Sequence, residues 1–299
     1  MDASSRTGAR AASDAGSAQG AGSAQDAGAS ATGTGTPVSA DAGACQRWTA
    51  DRTDLSEGKW TGSIATCDAG DIGPPGRANA LKLLNLYRFL AGMPEVKDDP
   101  GWDSEAQQCA LMQSANGLSH SLTSSAKCYS AAGADGSQRS DLSSGPGVQA
   151  IDGYMQDYGN ASTMGHRRWI LNNQLGPVGL GSAVASCFMN TGGMGNAAKP
   201  FVAWPPPGQV PYAAVVTTTA DMSGWTIQSD TINLNGGTVA VKDGTQTLQV
   251  TQSSLPPGYG SSYAIRFVPM GWQTQASHDY AVTVSGTSVA YTVQVVACP

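Results

Sequence analysis

Two histidines in the middle of the chain carry the side chains best suited to chemistry. His120 follows a predicted helix end, and His166 lies in the run Gly-His-Arg-Arg at 165–168. Neutral imidazoles are good ligands for zinc and similar divalent metals, and a neighbouring carboxylate can complete or orient such a set. The alternative is that each imidazole only packs at a helix end and is satisfied by nearby polar groups. We favour a cleft that both rings share.

The adjacent residues Ser140 and Asp141 suggest a serine nucleophile. However, the Gly-x-Ser-x-Gly pattern of a nucleophile elbow does not surround Ser140, and the sequence assigns no base to it. Serine hydrolysis is therefore not expected.

The charged and aromatic residues near the histidines have a structural interpretation as well as a functional one. Arg167 and Arg168 would steer an anionic ligand, but arginines beside a helix are more often solvated, so we expect both to be exposed. Tyr154 and Trp169 sit among apolar neighbours at helical spacing, which predicts core aromatics rather than ligand platforms. Trp204, in a proline run, is expected to pack at a domain junction.

Two long helices are predicted before His120. Residues 77–91 are apolar apart from a narrow polar stripe at every third position, which indicates a helix buried on most sides. The second helix is predicted over 103–116, with Ser104 and Gln107 as a capping box at its start.

Between the histidines the pattern changes twice. Residues 131–147 are polar and rich in glycine, which predicts a loop. The apolar residues at 148–158 fall on one helical face and predict a third helix. Ser162 and Thr163 are candidate caps for a fourth, short helix that carries His166.

The last third of the chain is predicted to form β-structure. A polyproline-like connector occupies 204–208, and nothing after it has a helical period. Seven short candidate strands separated by turn signals indicate an immunoglobulin-like sandwich. The candidate strands are 225–228, 231–234, 238–241, 247–251, 263–268, 280–284 and 291–296.

The six cysteines are an even number, and none of them form a C-x-x-C pair. This favours disulfides made in an oxidising compartment over a metal site or six free thiols in the cytosol. The sequence leaves the pairing open. Consecutive pairing is the simplest prediction: Cys45 with Cys67, Cys109 with Cys128, and Cys187 with Cys298.

Composition excludes several classes of protein. Charged residues make up 13% of the 299-residue chain and the formal net charge is −6, so no basic surface for nucleic acid is expected. No run approaches the roughly 20 apolar residues of a membrane-spanning helix. Residues 1–44 are rich in Ala, Gly and Ser and are predicted to be a disordered spacer. Because no signal-peptide pattern opens the chain, we expect it to begin after a removed leader.

Several fragments occur in an order that resembles a known family. They are L-L-N-L-Y-R-F-L-A-G, A-Q-Q-C-A-L-M, His120, and G-H-R-R-W-I-L-N-N followed by P-V-G-L-G. This order is similar to that of a bacterial CAP domain, the superfamily of cysteine-rich secretory, antigen 5 and pathogenesis-related proteins. The resemblance implies an α+β fold in which an α-β-α sandwich with an antiparallel sheet spans 76–199. An extension at 45–75 with a disulfide would precede it, and a β-sandwich at 200–299 would follow.

The resemblance also implies a cleft lined by two histidines and two acids, which in some members holds a divalent cation. His120 and His166 match the histidines. Ser140 stands at the first acidic position, with Asp141 one place later, and Asp157 matches the second acid with a shorter side chain.

Two functions of different classes follow. The first is a secreted or envelope-tethered binding module that holds a lipid, glycan or peptide in this cleft, with the sandwich as a spacer or adhesion surface. The altered acidic set favours this role over catalysis. The second is a metal-dependent hydrolase of peptide or cell-wall bonds, in which His120 and His166 hold zinc and Asp157 or Asp141 activates water. A purely structural surface protein is a third alternative.

Overall fold

A computed structural model describes residues 40–299, which form eight helices and twelve strands. Most of the predicted spacer at 1–44 lies outside the described residues, and the first helix begins inside it. The helices are α1 (Ala40–Asp51), α2 (Gly73–Leu90), α3 (Pro100–Asn116), α4 (Ala131–Gln138), α5 (Gly147–Gln156), α6 (Gly165–Ile170), α7 (Tyr212–Thr217) and α8 (Ala220–Ser223). The strands are β1 (Ser140–Ser143), β2 (Gly179–Ser182), β3 (Ser186–Met189), β4 (Val202–Trp204), β5 (Gly208–Pro211), β6 (Trp225–Ser229), β7 (Val239–Asp243), β8 (Gln246–Leu248), β9 (Val250–Leu255), β10 (Tyr263–Pro269), β11 (Asp279–Val284) and β12 (Ala290–Val296).

A small antiparallel sheet in the order β1-β3-β2 lies at the centre of the first half. Successive side chains of β3 point to opposite faces, as in any strand. Cys187 and Met189 pack with Ala106 of α3 in one apolar cluster, whereas Phe188 packs in the cluster that includes α2 and α5. Helices therefore cover both faces of an antiparallel sheet.

Strand β2 lies very close to α3. A Cβ atom on Gly181 would come within 2.1 Å of the backbone of Ala106, and one on Gly179 within 2.5 Å of the carbonyl oxygen of Trp102. No larger residue fits at either position, so the glycines of the P-V-G-L-G run set the distance between sheet and helix.

Helix α3 begins earlier than the sequence pattern predicted. Asp99 is its N-cap, and Oδ1 of Asp99 accepts hydrogen bonds of 2.9 and 3.0 Å from backbone N–H groups of the first turn. Pro100 follows at the first helical position, where its missing N–H has no cost. The predicted capping box is wrong, because Ser104 lies inside the helix and Gln107 donates to the carbonyl of Ser182 instead.

The segment at 131–147 is not a loop, and this prediction is wrong. It contains α4 and β1. The glycines that suggested a loop face α3: a Cβ on Gly133 would lie 2.5 Å from the sulfur of Met112, and one on Gly136 would lie 3.0 Å from the carbonyl of Glu105. Close packing, rather than flexibility, explains their presence.

The second half forms two further sheets, β4-β6-β10-β9 and β5-β12-β11-β7-β8. Their buried faces meet where the ring of Trp225 on β6 lies 5.8 Å from that of Tyr280 on β11. Strand β5 pairs parallel with β12, while the other pairs in these sheets are antiparallel. The immunoglobulin-like character of this region stays a prediction.

Three details of the predicted β region are wrong. Helices α7 and α8 interrupt it, and residues 231–234 form no strand. The segment at 247–251 is divided between β8 and β9. The remaining candidate strands lie within one or two residues of β6, β7, β10, β11 and β12.

Trp204 joins the two halves. Its ring is fully buried and lies 5.4 Å from that of Tyr87 in α2, and its Nε1 donates to Oγ1 of Thr218 at 2.9 Å. All described residues belong to one compact unit. The β region therefore packs directly against the helical half.

All six cysteines are disulfide-bonded, but none in the predicted pairing. The bonds join Cys45 to Cys298, Cys67 to Cys128 and Cys109 to Cys187. Consecutive pairing fails because partners are set by which elements touch: Cys109 on α3 packs against Cys187 on β3, and α1 lies beside the end of the chain.

Candidate ligand-binding cleft

A cavity of about 430 Å³ with both polar and apolar surface opens beside the start of β1, the end of β3 and the start of α6. His120, Ser140, Asp141 and His166, all candidates from the sequence, line it together, and Asp157 lies directly behind His166. The other lining residues are Gln138, Arg139, Asn160, Ser162, Thr163, Gly165, Trp169, Asn190, Thr191, Gly258 and Tyr259. Four candidates from residues 120–166 thus line one hollow, and the fifth, Asp157, supports it from behind.

His166 is held by a carboxylate on the side away from the cavity. Asp157 ends α5 in a left-handed conformation at φ 56°, which turns its fully buried side chain toward α6. Its Oδ1 lies 2.9 Å from Nδ1 of His166 and accepts a 2.8 Å hydrogen bond from Nδ2 of Asn160. Because the carboxylate only accepts, Nδ1 carries the proton and Nε2 is left for the cavity.

The same carboxylates set the charge of His166. Burial by itself lowers the pKa of the imidazole, but the hydrogen bond to Asp157, the charge of Asp141 when that carboxyl is ionised, and the charge of Asp157 outweigh it and raise the pKa above its usual 6.5. The protonated ring is therefore favoured to a higher pH than in a free histidine.

Asp141 lies on β1 with only 4% of its surface exposed. Burial raises the pKa of this carboxyl to about 8, a shift that nearby Asp157 adds to and His166 opposes. Its Oδ2 has no hydrogen-bond partner among the described residues. In the metal-free protein at neutral pH, the protonated, neutral form of Asp141 is therefore favoured.

His120 is an exposed residue of the same cavity wall. Its Nδ1 lies 2.8 Å from the carbonyl oxygen of Ser137, which can only accept a hydrogen bond, so its Nε2 is also free. Gln113 fixes the preceding loop by donating to the carbonyl of Ser119 and accepting from its N–H, at 3.0 and 2.7 Å.

The donor set does not fit a zinc site. A protein zinc site needs three or four ligands. Among residues 40–299 no group of three His, Cys, Asp or Glu side chains is placed to hold a metal ion. Asp157 is engaged by His166, Asp141 is buried on β1, and two imidazoles remain.

Ser140 has no catalytic setting. Its Oγ is buried and has no hydrogen-bond partner in the described part of the chain, so no base stands ready to activate it.

The prediction that Arg167 and Arg168 are exposed is wrong, since both are fully buried. Arg167 donates to the backbone of Met155 and Gly224, and Arg168 donates to loop residues of the β region. Burial without a carboxylate partner lowers the pKa of each guanidinium to about 10, and both remain charged. They tie α6 to the second half of the chain and cannot steer a ligand from solution.

Most other lining residues were not predicted from the sequence, and three of them show why. Trp169 was assigned to the core but is partly exposed at the cavity wall. Asn160 gave a local signal in its spacing from Asp157, a turn in which a side-chain amide meets a carboxylate. Tyr259 gave none, because it lies in the β region far along the chain from His166.

Comparison with known proteins agrees with the order of motifs. Residues 81–191 match the model of the CAP family, described as the cysteine-rich secretory protein family. No curated protein and no solved structure matches the chain significantly. The matched region includes His120, Asp141, Asp157 and His166 and ends before β4. Residues 81–191 are therefore similar to a cysteine-rich secretory protein domain of the CAP family, and this region carries the two histidines and the two aspartates of the cleft.

Proposed function

We propose that the chain is a secreted or surface-tethered protein that binds a glycan in the cleft beside His166. The observation that carries the proposal is the chemistry of the cavity wall. Amides from Gln138, Asn160 and Asn190 and hydroxyls from Ser162 and Thr163 border one hollow of about 430 Å³. Such groups both donate and accept hydrogen bonds, as recognition of sugar hydroxyls requires.

The same wall argues against a lipid, the first of the ligands that the sequence suggested. A fatty chain needs a continuous apolar lining, because each methylene contributes about 0.8 kcal/mol only when it leaves water. Here Trp169 and Tyr259 are the large apolar surfaces, and polar side chains surround them. An extended peptide is a weaker alternative than a glycan, and the binding experiment below distinguishes the two.

An extracellular location is supported by three disulfides among the described residues, which persist in oxidising compartments. Every helix in residues 40–299 is too short or too polar to cross a bilayer.

Calorimetric titration with soluble fragments of bacterial cell-wall and extracellular polysaccharides tests the proposal. We expect a saturable glycan ligand and at least about tenfold weaker binding by His166→Ala. His278→Ala is the matched control, since His278 also pairs with an aspartate, at 2.6 Å from Asp243, but lies outside the cleft. If no glycan binds, or if only short peptides bind, the proposal is wrong.

The alternative of a metal-dependent hydrolase gains no support from the donor set. Both imidazoles line one cavity, yet no third ligand joins them among the described residues. Zinc titration of the wild type and of a His120→Ala/His166→Ala variant decides this point. Stoichiometric zinc binding that the double variant loses would support the hydrolase hypothesis. Weak zinc binding by the wild type, or binding that is the same in the double variant, would contradict it.

A further inference from the structure

One loop of the β region closes a side of the cleft. Residues 256–262 connect β9 to β10, and two of them, Gly258 and Tyr259, line the same cavity as His120 and His166. The cleft is therefore composite, with walls from the CAP domain and from the region beyond it.

The loop is fixed to the helix that carries His166. Nη1 of Arg168 donates to the carbonyl of Pro256 at 2.8 Å, and Nη2 donates to Oγ of Ser261 at 2.9 Å and to its carbonyl at 3.2 Å. Because Arg168 is fully buried, these bonds are not exchanged with water. The position of the loop is thus set by the residue two places after His166.

Two glycines allow the loop to approach this closely. A Cβ on Gly165 would lie 2.8 Å from Cδ1 of Tyr259, and one on Gly260 would lie 2.8 Å from the carbonyl oxygen of Arg168. Gly260 also has a φ of +73°, which other residues rarely adopt. Gly165 on α6 and Gly260 in the loop therefore allow Tyr259 to pack against α6.

The ring of Tyr259 packs against Arg168, and the residue lines the cavity. Cζ of Arg168 lies 5.7 Å from its centroid, and the edge of the ring packs against Gly165. The residue is still 36% exposed, and that surface borders the hollow. An aromatic ring held over a guanidinium loses little freedom when a ligand covers its free surface.

We infer that Tyr259 is a ligand-contacting residue that the β region contributes to the CAP cleft, and that its ring packs against the apolar face of a sugar. The inference rests on the proposed function. It changes the role of the β region, which then completes the binding site instead of acting only as a spacer.

Calorimetry with the glycan that binds the wild type tests this inference with three variants. Tyr259→Ala is expected to weaken binding at least about tenfold, whereas Tyr259→Phe keeps the ring and stays within about threefold. The control Tyr212→Ala removes another tyrosine of the β region with similar exposure, 38%, outside the cleft, and is expected to bind like the wild type.

A second measurement does not depend on the stability of the variants. In the wild type with isotope-labelled tyrosine, ring signals of Tyr259 should shift on titration with the glycan while those of Tyr212 do not. If His166→Ala weakens glycan binding but Tyr259→Ala does not, and the Tyr259 signals do not move, the inference is wrong and the proposed function stands. If no glycan binds the wild type, both are wrong.

Discussion

Replacing Asp141 by asparagine should stabilise the protein at neutral and alkaline pH. The carboxyl is buried, its pKa in the folded protein is about 8, and its ordinary value is 3.8. Because the folded state binds this proton more tightly than the unfolded chain, the contribution to stability is complete below pH 3.8 and is lost progressively as the pH rises toward 8. Asparagine resembles the protonated acid in shape and has no proton to lose.

The size of the effect follows from the two pKa values. Each pH unit between them costs about 1.4 kcal/mol, and pH 7 lies about three units above the ordinary value, which sets an upper limit of about 4 kcal/mol. Relaxation and water penetration around buried charges reduce such limits, so we expect a gain of about 1–3 kcal/mol at pH 7. At pH 4 the two proteins should differ little, since Oδ2 of Asp141 has no hydrogen-bond partner among the described residues.

Urea unfolding with intact disulfides at pH 4, 7 and 8.5 measures the difference in the free energy of unfolding. The change of the difference with pH reports on Asp141 together with its electrostatic coupling to His166. Asp279→Asn, at an exposed position of β11, is the control and should show no such trend.

Two results would refute the reasoning. A difference that does not change with pH would mean that Asp141 is equally protonated in both states. A variant that becomes less stable than the wild type as the pH rises would mean that Asp141 is ionised in the fold and stabilised by protonated His166.

Three further predictions concern the residues that hold the cleft. Asp157→Asn should lower the pKa of His166, because it removes the hydrogen bond that favours the protonated ring, and titration of the imidazole signals by NMR against the wild type measures this; an unchanged pKa would contradict it. Arg168→Met should cost at least about 3 kcal/mol in urea unfolding, since buried carbonyls of the 256–262 loop lose their donor, while Lys59→Met on the surface should change little. Replacing Cys109 and Cys187 by alanine should cost about 4–5 kcal/mol, because the bond closes a separation of 78 residues, and a cost below about 1 kcal/mol would show that the unfolded chain is not constrained by it.

The sequence predicted the elements whose patterns are local. Helices α2 and α5 follow from apolar faces at helical spacing, and most strands of the second half follow from short apolar runs between turn residues. The order of motifs also indicated the CAP domain that the family model matches at 81–191.

The sequence failed where packing overrides local preference. The α4 segment, A-A-G-A-D-G-S-Q, has two glycines that disfavour an isolated helix. In the fold these glycines are what lets α4 lie against α3, with Gly136 near the backbone of Glu105. Nothing within the segment records that neighbour, so a loop was the reasonable prediction.

For the candidate cleft, the sequence identified the residues, but the tertiary structure set their ionisation. Residue types and their order identified His120, His166, Asp141 and Asp157, because histidines and acids are recognisable by their chemistry wherever they stand. Their ionisation was decided by tertiary structure, since the pKa of Asp141 depends on burial and that of His166 on two carboxylates from other elements.

Contacts between residues far apart in the chain decided the features that the sequence did not predict. The pairing of the cysteines, the burial of Arg168 and the position of Tyr259 over α6 all join residues that are far apart in the chain. Local sequence fixes backbone preference and the alternation of apolar faces over a few turns, whereas which faces meet depends on the free energy of the whole packed core. The sequence by itself therefore determined the domain and its reactive side chains, and the tertiary structure alone determined their charge, their supports and the wall that completes the cleft.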